Sequence, residues 1–269
     1  DMPSWTMKYK NKYQLGHFDK KLGMPVFNYQ TPKLKKAFID AMSQEAKRSK
    51  AAGTKKDYGR VRRSCKNNGF APPYECLDGP DNMYKDGELS IEGVNLIKQL
   101  SKSTKPFFMA IGFYKPHLPF NAPKKYWNMY NPQEIKTAAF KDPSSDPIKY
   151  AYNGSGELRS CYSVPKKFDE AFHRNMIHGY YACVSYIDAQ IGKLLDELKR
   201  QNLDKNTIIV LWGDHGWHLG DHGMFCKHTN FEQATRSPLI IAAPGYKGGQ
   251  VSKSICEFVD IYPTLCALA

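Results

Sequence analysis

An Asp-His pair placed where a strand pattern stops is the part of this 269-residue chain best suited to chemistry. The apolar run Thr207-Ile208-Ile209-Val210-Leu211-Trp212 breaks off at Gly213-Asp214-His215-Gly216. In open α/β sheets ligands gather at the carboxyl ends of strands, so a carboxylate and an imidazole there can meet a substrate. The flanking glycines allow a tight turn that presents both side chains to one point. Together the two donors make half of a metal site. The competing reading is turn punctuation, because Asp and Gly both favour turns. The tetrad recurs as Gly220-Asp221-His222-Gly223, but no strand pattern feeds that copy, and it reads as loop. The metal candidates are Asp214 and His215.

Around that pair the sequence is distinctive. Asp214-His215-Gly216-Trp217 is followed by Leu219-Gly220, His222-Gly223, Lys227, Asn230-Phe231, Ala234-Thr235 and Pro238-Leu239-Ile240. Upstream, Pro106-Phe107-Phe108 leads through Gly112-Phe113-Tyr114 into Lys115-Pro116-His117-Leu118-Pro119-Phe120. Tyr181-Ala182 to Asp188 and Asp260-Ile261-Tyr262-Pro263-Thr264-Leu265 add further matches. In these blocks the chain resembles the sulfatase family of the alkaline-phosphatase-like superfamily, and within it the iduronate-2-sulfatase type.

The resemblance implies roles residue by residue. Asp214 and His215 would hold a divalent metal, calcium first, with zinc or manganese as alternatives because imidazole suits transition metals better than calcium. Lys227 would contact a sulfate oxygen, and His117 would deliver a proton to the leaving oxygen. Their bland readings are a solvated lysine and a histidine pinned between prolines. Lys115 is a further substrate-binding candidate, adding positive charge at the same strand end. Trp217 reads either as an apolar wall against a sugar ring or as a core tryptophan. The family's nucleophile is a formylglycine made within a Cys-x-Pro-Ser-Arg motif. None of the seven cysteines (Cys65, Cys76, Cys161, Cys183, Cys226, Cys256, Cys266) stands in that motif. The expectation is an internal piece of a longer sulfatase, inactive alone, of the secretory route (extracellular, periplasmic or lysosomal), with no signal-like apolar stretch of its own.

Composition bounds the rest. Hydrophobic residues make up 41% of the chain, and no run approaches the roughly 18 apolar residues of a membrane span. The net charge of +13 is lopsided, since residues 1–66 hold 17 Lys and Arg against 5 Asp and Glu. No nucleic-acid motif accompanies that basic stretch, and a solvated surface attracting sulfated, carboxylated polysaccharide fits it at least as well. Cys65 and Cys76 bracket a short Gly/Pro loop and are the disulfide choice in an oxidising compartment, a choice the resemblance supports. Cys183 reads as core, and Asn153-Gly154-Ser155 is a glycosylation sequon.

The elements that must position these residues follow from pattern. A helix is predicted over Pro32–Lys50, capped by Thr31 with Pro32 at its first position. Residues 51–81 read as a long surface excursion. A second helix spans Ser90–Lys102 with Ile91, Val94 and Ile97 or Leu100 on one face. Pro106–Tyr114 reads as a buried strand, Pro123–Tyr130 as a short helix and Asn131–Val164 as a lid-like loop. The clearest helix covers about Pro165–Asn202, striped by Val184, Ile187, Ile191, Leu194 and Leu198. Strands at 207–212 and 238–243 complete an α/β fold with a predominantly parallel sheet sandwiched by helices. The whole chain reads as part of one catalytic domain, 1–80 basic and loop-rich and 81–269 the strand-helix core. Function is expected to be sulfuric ester hydrolysis on sulfated polysaccharide or glycosaminoglycan. The alternatives are a phosphate or phosphonate monoester hydrolase of the same superfamily and a noncatalytic glycan-binding relative.

Overall fold

The computed structural model describes residues 29–143, 145 and 148–269, together with the short strands β1 (Phe18–Asp19) and β2 (Met24–Pro25), which pair antiparallel. Helix α1 (Pro32–Ala51) opens with Pro32 at its first turn, but Thr31 makes no side-chain cap. The buried Glu75 takes that role from a distance, its carboxylate accepting from the backbone N–H groups of Gln30 at 2.8 Å and Thr31 at 2.9 Å. Helix α2 (Tyr58–Asn67) follows, capped by Asp57, which accepts from Gly59 and Arg60. The expected excursion over 51–81 is thus corrected. Half of it is α2 and strand β3 (Tyr74–Leu77), and Phe38, Met42, Val61 and Cys65 pack α1 and α2 into a small core of their own. The thiols of Cys65 and Cys76 are both free, so the disulfide choice also fails in this structure.

The main core is built on helices α3 (Lys85–Leu100) and α6 (Glu170–Arg200). Helix α3 begins five residues before the predicted start, and its buried line is Asp86, Ser90, Gly93 and Ile97, while Ile91 faces water. Helix α6 is 31 residues long, with Asp169 accepting from Phe172 N at 2.7 Å as its cap. Its buried line runs through Met176, Cys183, Tyr186, Gln190 and Leu198, and Val184 is 43% exposed. Of the predicted stripe Leu198 is buried and Ile187 packs on the core, but Val184 is displaced because polar Gln190 and the hydroxyl-bearing Tyr186 hold core positions by pairing internally. Tyr186 donates to Asp81 O at 2.8 Å and accepts from Gly87 N at 2.6 Å, and Ser90 donates to Gln190 at 3.0 Å.

Strand β4 (Phe120–Pro123) is wholly buried and pairs parallel with β3. Helix α4 (Lys124–Trp127) follows it directly. The remaining strands pair antiparallel: β5 (Ile209–Trp212) with β8 (Leu239–Ala242), and β6 (His218–Leu219) with β7 (Phe225–Cys226). Short helices α5 (Gly156–Arg159) and α7 (Glu232–Thr235) sit among the loops, and α8 (Ile261–Leu268) closes the chain. The 106–114 run forms no strand. It is extended with alternating exposure: Phe107, Met109, Ile111 and Phe113 turn partly inward, and Phe108 is 71% exposed. Ile111 meets α3 and α6 at Gly93, where an added Cβ would lie 2.7 Å from both Ile111 and Leu194. Among the described residues no helix is long and apolar enough to cross a membrane.

Gly87 makes the sharpest steric demand on this core, since a Cβ there would lie 2.1 Å from the backbone oxygen of Asp81. Gly87→Ala is expected to cost about 3 kcal/mol or more in urea denaturation, because backbone rather than a yielding side chain is in the way. Gly112→Ala, with open space around it, should stay within about 0.5 kcal/mol. Equal effects at the two positions would contradict this packing.

Candidate functional site

The site begins with a buried carboxylate. Asp86, in the first turn of α3, accepts from the backbone N–H groups of Tyr114 at 2.8 Å and Lys115 at 3.0 Å. Burial pushes its carboxyl up, opposed by those bonds and by the Lys115 charge. This fixes the start of the Lys115–Phe120 turn. The Lys115 ammonium then donates to His117 O at 2.7 Å and Pro119 O at 2.5 Å, and the residue is 6% exposed. Burial lowers its pKa, with Cys183 and Asp86 acting the other way. The Lys115 ammonium, the further substrate-binding candidate, is here bonded to backbone carbonyls and holds the His117 turn in shape.

Lys227 follows β7, at the end of the β6–β7 hairpin. The hairpin turn is the second tetrad: Gly220 has φ +109°, and a Cβ there would lie 2.2 Å from the His173 ring. Its glycine serves chain reversal, as the loop reading of that copy expects. From there Lys227 Nζ reaches His117 Nε2 at 2.8 Å and lies 5.0 Å above the Trp217 ring. An ammonium only donates, so Nε2 is the acceptor and the His117 proton sits on Nδ1, 2.8 Å from Leu118 O. His117 is thus a neutral proton acceptor toward Lys227. Burial first, then the Lys227 and Lys115 charges, hold its pKa below the usual 6.5, against the pull of Leu118 O and Glu157.

Glu157 completes the cluster. Both of its oxygens lie 2.9 Å from Lys227 Nζ, one is 3.7 Å from His117 Nε2, and the other is 3.3 Å from His228 Nε2. Burial raises this carboxyl, but the Lys227 bonds and charge, with His117 and His228, outweigh it and hold it below the usual 4.5. Sequence reasoning passed over Glu157 because it lies in the segment read as a loop. The only local signal is a carboxylate in the first turn of the four-residue α5, just after Gly154-Ser155-Gly156.

Asp214 and His215 lie just beyond β5. His215 Nδ1 is 2.8 Å from Gly216 O, which can only accept, so Nδ1 carries a proton. The other ring nitrogen, Nε2, faces Asp214 Oδ2 at 3.6 Å, and Asp214 is 87% exposed. An imidazole oriented by a backbone carbonyl is how metal-binding histidines are commonly held. The pair fits two neighbouring positions of a coordination shell, short of the six to eight oxygen ligands calcium takes. Among the described residues no group of three or more His, Cys, Asp or Glu could hold a metal. Trp217 lies between the two halves, its ring centroid 5.3 Å from His117 and 5.9 Å from His215. It is 8% exposed and packs against Phe120 and Tyr180, so it forms the floor under both pairs, closer to the core reading than to an open wall for sugar.

The sequon is also part of this architecture. Asn153 Oδ1 accepts from Ser155 N at 2.6 Å, and Asn153 Nδ2 is buried, facing no acceptor among the described residues. Buried Ser155 accepts from Phe225 N at 2.9 Å, tying α5 to β7 and so Glu157 to Lys227.

A helix-covered α/β frame with a carboxylate–imidazole pair just past β5 and a lysine just past β7 is the arrangement to compare with known folds. The structure is similar to phosphonate monoester hydrolase SpPMH from Silicibacter pomeroyi, with a TM-score of 0.57 and 21% identity over 86% of this chain and 47% of that one. A sulfatase family model matches residues 6–269, and the chain belongs to the sulfatase family. It is 36% identical over 175 residues to a sulfatase of Formosa agariphila, covering 65% of this chain and 34% of that protein. To iduronate 2-sulfatase of Homo sapiens it is 32% identical over 232 residues, covering 73% of this chain and 42% of that one. The chain thus spans well under half the length of these relatives.

Burial holds His117, His173 and His218 below the usual 6.5. A base depressed in the folded state binds fewer protons folded than unfolded between its two pKa values. Stability is therefore lost as pH falls through the unfolded value of about 6.5. The thermal midpoint is expected to drop from pH 7 to pH 5, and His117→Gln to reduce that slope. A midpoint independent of pH over this window would contradict the assignment.

Proposed function

We propose that this chain is part of a sulfuric ester hydrolase of the iduronate-2-sulfatase type, removing sulfate from sulfated polysaccharide or glycosaminoglycan on the secretory route. The observation that carries the reading is the 2.8 Å contact of Lys227 Nζ with His117 Nε2 in a niche already satisfied by a carboxylate. A sulfate ester presents oxygens that share negative charge, and a preset ammonium neutralises that charge without reorganisation. Lys227 binds and orients such an oxygen. His117 handles the proton: cleavage of the S–O bond leaves an alkoxide, which takes a proton from Nε2. That nitrogen must first take a proton from solvent, while Lys227 keeps its own and stays the ammonium that faces the sulfuryl oxygen. Trp217, close-packed below, keeps water from the underside of the pair.

Asp214 and His215 would hold a divalent metal, calcium first, zinc or manganese as alternatives. When bound, it supplies Lewis-acid polarisation of the sulfuryl oxygens. The formylglycine that the resemblance implies has no counterpart among this chain's seven cysteines, and no step is assigned through it.

In the full-length protein carrying this chain, Lys227→Ala is expected to lower kcat for an aryl sulfate by roughly 100- to 1,000-fold, the range for losing one preset oxyanion donor. Turnover unchanged in this variant, or a wild-type preference for phosphonate monoesters over sulfate esters, would overturn the reading. Asp214→Ala and His215→Ala should each lower the metal content found by elemental mass spectrometry. Undiminished metal in both would remove the metal assignment.

A further inference from the structure

The Lys227 niche already holds an anion, and that anion belongs to the protein. The Glu157 carboxylate sits symmetrically on Lys227 Nζ, with both oxygens at 2.9 Å, and one of them is 3.7 Å from His117 Nε2. A carboxylate offers two oxygens sharing one charge, as two oxygens of a sulfuryl group do. The same ammonium and imidazole cannot face both groups at these distances. Whatever oxyanion enters must therefore displace Glu157.

The backbone under Glu157 is fixed. Ser155, 1% exposed with φ +54°, is bonded to Asn153 and Phe225. Leu158 is buried in the main core. The Arg159 guanidinium stacks 4.4 Å over Phe168 and donates to the carbonyls of Gly154, Pro165 and Lys166. The carboxylate itself stands two methylenes off this frame and is 28% exposed. On its open side is His228, 62% exposed and 3.3 Å from Glu157 Oε1. The frame stays while the carboxylate has somewhere to go.

We infer that Glu157 is a displaceable occupant of the oxyanion subsite, a tethered carboxylate that organises Lys227 and His117 in the free protein and moves out beside His228 when a sulfuryl group binds. This rests on the sulfate reading of the site and adds to it a specificity device. A short tether holds its group at an effective concentration in the millimolar range. Free sulfate must compete against that concentration with only its own charge. A sulfate carried on a sugar brings further contacts and displaces the carboxylate more easily. After hydrolysis those contacts are lost with the alcohol, and Glu157 helps expel the product anion. Glu157 is thus a positioning and selectivity residue rather than a catalytic one.

The test uses the full-length protein, with inorganic sulfate as the probe in calorimetric titration and as a product inhibitor of ester turnover. Glu157→Gln keeps the shape and removes the competing charge, and it should bind free sulfate about tenfold more tightly, the equivalent of releasing roughly 1.4 kcal/mol of internal competition. Glu157→Asp, a methylene short of Lys227, should lie between wild type and Gln, which keeps the test open if the Gln protein is unstable. Glu232→Gln is the charge control: its carboxylate pairs with Arg236 on exposed α7 and should leave sulfate affinity unchanged. Equal or weaker sulfate binding in Glu157→Gln, with wild-type turnover intact, overturns the displaceable occupant and spares the sulfate reading. A tenfold gain in the Glu232 control would reduce the effect to net charge and overturn it as well. Absence of both sulfate binding and ester turnover in every form overturns the two readings together.

Discussion

An ammonium withdrawn from water needs an anion, and this requirement shapes the region around Lys227. Its side chain is 14% exposed, seated on the Trp217 ring and against a neutral imidazole. Leaving such a charge without a partner costs several kcal/mol, so the free protein must supply one. Glu157 does so from a helix 70 residues earlier in the chain. The Ser155 to Phe225 hydrogen bond brings the two segments together. The hairpin that ends at Lys227, the turn that carries His117 and the short helix that carries Glu157 are three local structures serving one electrostatic demand.

What could be read from sequence follows from how local each signal is. The strand break at Gly213 and the Asp214-His215 pair are local, and both stand where the pattern put them, just beyond β5. Helices α1 and α6 carry enough period or cap chemistry to be legible within a few residues. The buried face of α6 was legible only in part: Leu198 is buried as its spacing implies, but Val184 is apolar yet exposed, while Gln190 is buried by pairing with Ser90, a partner 100 residues away. Helix α2 hid in a stretch whose Gly, Asn and charge content reads as loop. Glu157 could not be found by period at all, because a four-residue helix has none. Its importance lies in contacts with Lys227 and His228, which only the fold creates.

Burial of extended segments was the other thing that sequence could not give. The 106–114 run is apolar on both faces, the usual mark of a strand covered on both sides. It does alternate as an extended chain does, but only one side meets α3 and α6. Strands β5 and β8 are similar, with Trp212 and Ile240 half exposed on an apolar ladder. Backbone conformation is set by nearby residues, whereas burial depends on what else packs there.

The two halves of the site meet at Trp217, which packs against a histidine of each. The indole touches His117 on one side and His215 on the other, and Lys227 lies over its ring. Each histidine is oriented by a backbone carbonyl at Nδ1, Leu118 O for one and Gly216 O for the other, so both turn Nε2 toward the site. Nε2 of His117 accepts from the Lys227 ammonium, whereas Nε2 of His215 faces a largely solvated carboxylate, so the same ring atom meets a cation in one half of the site and an anion in the other.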